Sequence, residues 1–515
     1  MIEYVLVLFF AVFIRLFPLR NLHSIDFDTY GHLTFANEVF NQKASPWGPI
    51  KLQCWKSDNY RLPYLWHWFV GRLPKSWLTK YSKWLNGIID ALFATFIYWL
   101  LLNYFQDASI AFIGLLLYLF TPMWFSSIAI GTRIASFTPR LISEILVNTS
   151  LVILLFDIGL PYEFKILLAS FLTMGVLLSS KFGFQAVIFI FPLTYLFSGS
   201  YFSFEPLIVI LISIIILMII SKGEATRMFK RQLDHLTEYY RNNLTKPNDI
   251  FSRNKLSNIF VWSRESGLNF YNSVWNILAT NSYTSVIFKM PIFLCVFSMI
   301  IYGALSGIIQ LNQPLYSTII ASTFLFFLIN RPNLLFLGEA ERYINHISIF
   351  LIFALIQMSY TFQLEWIPKL LVFYGVIYWT FESFILNRLS AKKERRIADK
   401  VIENYLKSSS KKRLINSFPY HNFSLFRVMF MTKHDVLFPL YMEESYRKQF
   451  KKDFELKDNY LDISKLDEIQ KVTLLDTIIL DKKALQAEGL ENWKPSKKWQ
   501  KLNLNQSLYD IYEIL

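Results

Sequence analysis

Cysteine is nearly absent: Cys54 and Cys295 are the only two in 515 residues, which excludes a disulfide scaffold and a cysteine-based zinc ribbon. Cys295 lies in an apolar run and reads as a small core residue. Charge is scarce as well. Asp, Glu, Lys and Arg make up 17% of the chain against 54% hydrophobic residues, where a water-soluble domain carries about 25% and 45–50%. No internal repeat and no low-complexity segment is present. The 49 Phe, 28 Tyr and 14 Trp exclude disorder, and a collagen-like or coiled-coil chain with it. What remains is a polytopic membrane protein. Its net charge of +14 lies between and after the apolar runs, where Lys and Arg set topology and meet anionic lipid. No stacking platform or nucleic-acid motif accompanies it, so membrane lipids are expected as partners and nucleic acid is not.

The apolar runs fall near 3–18, 62–73, 85–104, 109–121, 123–137, 141–158, 163–179, 183–198, 203–221, 288–310, 315–330, 348–363 and 367–387. The first has no basic flank and no small-residue cleavage site, so it reads as a retained anchor. Several are shorter than the roughly 20 residues a bilayer demands. Counting 123–137 gives thirteen spans, and omitting it gives twelve. The expected fold is therefore an all-α polytopic membrane domain of about 12–13 transmembrane helices over 1–390. It carries a first polar loop (19–61) and a second polar block (222–288). A small soluble α/β carboxy-terminal domain follows over 391–515. The run RMFKRQLDHLTEYY within 222–288 has the pattern of an amphipathic helix lying on the membrane. Strands are expected near Val472–Leu480 and Ser507–Ile514.

The chemistry concentrates in Ser24–Phe40, SIDFDTYGHLTFANEVF. Asp26 and Asp28 flank one Phe just past the first span, with Tyr30 and His32 beyond them. Two carboxylates so spaced in a loop can hold a divalent cation or take a proton from a hydroxyl; solvated loop acids are the plain alternative. Arg140 and Glu144, four apart, suit either a helix ion pair or a phosphate site in which Arg140 presents its planar donor fork. Arg342, between Glu341 and Tyr343, has the same two readings. Asp90 is an acid inside a span and so a functional candidate, although a hydrogen bond to a neighbouring helix would explain it.

These pieces together resemble the GT-C superfamily of membrane glycosyltransferases, which use sugars carried on a polyprenyl phosphate. The resemblance rests on the acidic motif in the first loop and the Tyr30-Gly31-His32 run with Ala36. It also rests on Arg61-Leu62-Pro63-Tyr64 through Trp68, which is similar to the start of that family's second span. Thr138-Pro139-Arg140-Leu141 and Gly338-Glu339-Ala340-Glu341-Arg342-Tyr343 are similar to family patterns before later spans. The resemblance implies a polyprenyl-phosphate-sugar donor and a glycan, lipid or protein acceptor. It implies Asp26 and Asp28 as catalytic acids, Arg140 and Arg342 on the donor phosphate, and Tyr30, His32, Glu341 and Tyr343 as support. A divalent cation (Mg or Mn) held by Asp26 and Asp28 stays open, with Asp107 the one candidate for a second acidic site. The Trp-Trp-Asp run of oligosaccharyltransferase catalytic subunits is absent, which argues against an asparagine acceptor.

The expected function is thus transfer of a sugar, with inversion, from such a donor to a hydroxyl. A transporter or lipid flippase of the cell-envelope glycan pathway is the alternative, and a non-catalytic assembly or sensor protein a third. A transporter should show broken helices in matching positions of two halves. If Asp28 and Arg342 serve one site, the crossings between them must be even in number, which on the runs above requires 123–137 to cross or dip in. The site and the tail then lie on the extracytoplasmic face (of the plasma membrane, in a prokaryote), against the positive-inside preference. Long polar segments obey that preference poorly.

Overall fold

The structure, a computed structural model, describes residues 2–21, 27–125, 134, 136–199, 204–244, 281–386, 393–419, 423–457, 460–490 and 492–514. By contacts the chain forms two compact units, one of Met1–Arg20 with Tyr81–Arg388, the other of Asn21–Lys80 with Leu389–Leu515. The first polar segment thus folds with the carboxy-terminal segment, whereas a cut at residue 390 would leave it with the apolar helices.

The first unit is helical. Its elements are α1 (Ile2–Leu16), most of α4 (Lys75–Phe105), α5 (Ala108–Phe120), α6 (Arg140–Leu155), α7 (Tyr162–Ser179), α8 (Lys181–Ser198), α9 (Glu205–Ile220), α10 (Ala225–Leu244), α11 (Ser282–Lys289), α12 (Pro291–Leu305), α13 (Pro314–Ile329), α14 (Glu341–Asn345), α15 (Ser348–Thr361) and α16 (Trp366–Phe381). Among the described residues three helices, α4, α7 and α8, are long and apolar enough to cross a membrane unaided. The number rises to five if α9 with the start of α10, bent by 118°, and α11 with α12, bent by 91°, each count as one. The others are shorter apolar helices, tied together by small polar side chains, which substitute for the missing hydrophobic drive between helices in lipid. Ser150 Oγ and Thr173 Oγ1 lie 2.9 Å apart between α6 and α7. Ser213 Oγ donates to Ser170 O at 2.8 Å between α9 and α7, and Ser198 Oγ meets Ser317 Oγ at 2.6 Å between α8 and α13. Asn148 on α6 accepts the Ile349 N–H at 3.1 Å and so fastens the start of α15.

One expected span is corrected. Residues 62–73 contain only the six-residue helix α3 (Leu65–Val70), about 9 Å long at 1.5 Å per residue, against the ~30 Å of a bilayer core. Pro63 and Pro74 bracket it, and it packs with the second unit. Of 123–137, residues 126–133 and 135 lie outside the described residues. The described part includes a 3-10 turn at Pro122–Trp124, and its described residues are buried. In the 222–288 block the amphipathic helix is present as α10, and residues 245–280 lie outside the described residues.

The second unit has a five-stranded sheet in the order β2-β1-β5-β7-β6. Its strands are β1 (Leu414–Phe418), β2 (Asp435–Val436), β5 (Thr477–Asp481), β6 (Trp499–Lys501) and β7 (Tyr509–Ile514), with a small ribbon, β3 (Glu455–Lys457) and β4 (Tyr460–Leu461), apart from it. β1 is parallel to both β2 and β5, and β5 to β7 is antiparallel. All residues of β1 and β5 are buried, as expected of strands covered on both faces. Val472 and Thr473 end a helix rather than begin the strand. The first polar segment completes this unit in two ways. Trp55 N donates to Val436 O at 2.9 Å and Val436 N to Gln53 O at 3.0 Å, so residues 53–55 cover the β2 edge that would otherwise stand open. Helix α2 (Phe27–Asn41) lies on α17 (Leu425–Met431), where Thr34 Oγ1 donates to Phe426 O at 3.1 Å.

Candidate active site

Within the helical unit the two expected phosphate-binding arginines meet on one ring. The Arg342 guanidinium carbon lies 3.9 Å from the Phe182 ring centroid and that of Arg140 lies 5.3 Å from it. Two glycines make this approach. A Cβ on Gly183 would lie 2.6 Å from Ser143 Cβ, so only glycine lets α8 come this close to α6, one turn from Arg140. Gly338 has φ +110°, and a Cβ there would fall 2.5 Å from the Phe182 ring. The turn that carries Glu339 to Arg342 therefore presses directly on Phe182. Arg342 forms an ion pair with Glu339, and its Nη1, although buried, has no hydrogen-bond partner among the described residues. Lys181, next to the ring, lies within electrostatic reach of Arg342.

Glu341 points elsewhere. Its Oε2 accepts a hydrogen bond from Ser282 Oγ at 2.6 Å, and Lys289 feels the charge of Glu341 and of Glu382. Tyr343 donates from its hydroxyl to Leu337 O at 3.3 Å and packs near Phe189, which fixes the turn. Phe182, Lys181, Ser282 and Lys289 were not legible as site residues beforehand. A Lys-Phe-Gly run opening an apolar helix was the one available signal.

In the second unit Asp28 is exposed in the first turn of α2, and Asp26 lies outside the described residues. Tyr30 is buried near Phe430, with the Arg427 guanidinium 5.5 Å from its ring. Burial raises its phenol above the ordinary range, against the Arg427 charge. Arg427 is held in turn by Asp399 at 3.0 Å and Glu403 at 2.8 Å. The His32 Nδ1 lies 2.9 Å from His67 Nε2, with the rings stacked. Burial lowers the His67 imidazole to about 3, so it is neutral at physiological pH. Tyr30 and His32 thus anchor the helix that carries Asp28.

Asp90 has a structural partner. It accepts from Arg15 Nε at 2.5 Å and from the Tyr118 hydroxyl at 2.7 Å, while Arg15 Nη1 donates to Leu119 O at 2.6 Å, all fully buried. Asp107 caps α5, accepting from Ser109 N at 2.7 Å and Ile110 N at 3.2 Å. Asn86, near the other end of α4, donates to Ser136 O and Thr138 O beside Arg140. Asp107 lies 21 residues further along the chain from Asn86, about 30 Å of helix, and so cannot share a cation with groups near Arg140. Among the described residues no three His, Cys, Asp or Glu side chains converge as metal ligands.

No family model matches this sequence, and no curated protein matches it. Solved structures do. The archaeal oligosaccharyltransferase AglB from Archaeoglobus fulgidus, in complex with an inhibitory peptide and a dolichol-phosphate, is 13% identical with a TM-score of 0.50, over 94% of this chain and 70% of that one. The apo form of the Archaeoglobus fulgidus oligosaccharyltransferase is 12% identical at a TM-score of 0.50, over 98% and 74%. Its complex with Zn and sulfate gives 12% and 0.51, over 98% and 72%. The fold is that of an oligosaccharyltransferase. That fold agrees with the one the sequence resemblance implied. The likeness covers residues of both units. A transporter-like arrangement is not seen in the described residues: the two bends fall close together, at 220/225 and 289/291, rather than at matching places in two halves.

Proposed function

We propose that this chain is a membrane glycosyltransferase that moves a sugar from a polyprenyl-phosphate-linked donor to a hydroxyl acceptor with inversion. The observation that carries the reading is the pair of arginines, Arg140 and Arg342, gathered on Phe182 from positions about 200 residues apart. One of them keeps a buried donor in reserve. A cation pair of which Arg342 keeps an unpaired N–H among the described residues suits a phosphate, whose oxygens accept several charge-assisted bonds. The dolichol-phosphate bound by the archaeal relative agrees with such a donor.

In the proposed reaction Asp28, with Asp26 beside it, takes the proton of the acceptor hydroxyl. That oxygen attacks the anomeric carbon as the carbon–oxygen bond to phosphate breaks. The electron pair leaves on the lipid phosphate, where Arg140 and Arg342 stabilise the charge that develops. The carboxylate must lie about 2.6–3.2 Å from the hydroxyl. Glycan, lipid and protein hydroxyls remain candidate acceptors. Without the Trp-Trp-Asp run, the asparagine of the oligosaccharyltransferase reaction is not proposed. A Mg or Mn ion, if used, would need Asp26 and Asp28, and no step is routed through it. Asp28→Asn in full-length protein should abolish transfer at unchanged protein level and folding. Unchanged transfer would remove Asp28 from the role.

We infer a crossing count on the assumption that each of the longer apolar helices crosses once. Ten of them (α4 to α9, α12, α13, α15 and α16) lie between residues 80 and 389. If each crosses once, the chain returns to the face it left, as the joint folding of 21–80 and 389–515 requires. With α1 the total is eleven, in place of twelve or thirteen, and 123–137 need not cross. We place that face outside the cytoplasm of a cell-envelope membrane. A cysteine introduced at exposed Lys411, tested on intact cells with a membrane-impermeant thiol reagent, should react. Reaction only after lysis would reverse the assignment.

A further inference from the structure

Gln185 has no task in the reading above. It lies in α8, four residues after Lys181 and three after Phe182, hence on the same helix face. It is 3% exposed, and neither its Nε2 nor its Oε1 has a hydrogen-bond partner among the described residues. Inside a membrane helix a wholly unpaired amide is costly, and leucine or methionine would fill the same volume without that cost. A second buried glutamine behaves alike. Gln232, 1% exposed and also unpaired at both amide atoms, lies on α10 three residues after Phe229, whose ring is 5.2 Å from that of Phe184 on α8. An unpaired buried amide one helical turn from Phe182, the ring on which an arginine with an unpaired Nη1 is stacked, describes a polar site awaiting a ligand rather than a packed core.

We propose that Gln185 is a ligand-binding residue of the donor site, its Nε2 donating to a phosphate oxygen held also by Arg342 Nη1. This rests on the donor-phosphate reading of Arg140 and Arg342. An amide suits the position better than a third arginine, because it both donates and accepts. Its Nε2 serves the phosphate, which offers only acceptors, and its Oε1 is left for a hydroxyl of the sugar attached to that phosphate. Gln185 thereby distinguishes a glycosyl phosphate from a bare anion such as a phospholipid headgroup.

The test uses the purified full-length chain in detergent, with a polyprenyl monophosphate as the probe and thermal unfolding as the readout. Wild type should be stabilised by the probe. Gln185→Leu should melt at the wild-type temperature or above it without probe, and should bind the probe at least tenfold more weakly. Gln185→Met serves if the leucine variant does not fold. Either variant binding the probe as wild type does would overturn the proposal while leaving the arginine pair intact. A wild type unaffected by the probe would overturn the donor reading and this proposal together.

Discussion

Arg342→Gln separates a phosphate-binding arginine from an arginine that merely pairs with its neighbour. The guanidinium stacks 3.9 Å from the Phe182 centroid and pairs with Glu339, with side-chain exposures of 8% and 20%. Removing it forfeits a largely desolvated cation–π contact, about 1–2 kcal/mol. It also breaks the part-exposed ion pair with Glu339, worth about 1 kcal/mol. The variant should therefore lose about 2–3 kcal/mol of stability. It should also lose one to two orders of magnitude in affinity for a polyprenyl phosphate, the worth of a hydrogen bond to a charged group. The decisive variant is the double substitution Glu339→Gln with Arg342→Gln. It removes both members of the ion pair, so thermal unfolding should recover part of the loss, while the stabilisation that wild type gains from added polyprenyl phosphate should stay absent. Recovery of both stability and ligand response would show that Arg342 is there for Glu339, and the phosphate reading would be wrong.

Two further predictions concern groups away from the clamp. His67 is buried neutral and lowered to about 3, so the unfolded chain binds the proton first. Its contribution is full above the unfolded value near 6.5 and falls by up to about 1.4 kcal/mol per pH unit as pH drops below that; His67→Gln should flatten the acid limb of the stability profile, and an unchanged limb would refute the assignment. Asp90→Asn should destabilise the helical unit by about 3–5 kcal/mol by stranding Arg15, whereas Arg15→Met with Asp90→Leu should come close to neutral; sugar transfer lost in a stable double variant would return Asp90 to the active site.

Much of the helical layout could be read from the sequence, because a membrane helix writes its own signal in consecutive apolar residues. The clamp was half legible. Arg140 and Arg342 each stand at the mouth of an apolar run, where a cation needs a reason. Phe182 is one of 49 phenylalanines, and only the glycine beside it hinted at a close helix approach. The pairing of Arg15 with Asp90 could have been found by asking which opposite charges lie inside spans. The run 62–73 misled because it is apolar. Its burial comes from packing α3 against α2 in the second unit, and Pro63 and Pro74 were the local evidence against a span. That residues 53–55 pair with Val436 has no local signature at all, since the partners lie some 380 residues apart and the register is set by the sheet.

That pairing settles more than a fold detail. A charge rule ranks topologies by small preferences, each basic residue shifting the balance slightly, and long polar segments respond to it weakly. A backbone hydrogen bond between Trp55 and Val436 admits no such gradation, because its partners must occupy one aqueous compartment. The number of crossings between them is then even whatever the charges say. With 62–73 removed as a span and 123–137 not required as one, the ten helices proposed to cross satisfy this parity. On the proposed crossings, the same alternation brings the amino end of α6, the amino end of α8 and the turn before α15 to one membrane face. Those are the three places that supply Arg140, Phe182 and Arg342, whose mutual contacts were no part of the count. On the proposed crossings, parity and the arginine pair agree independently.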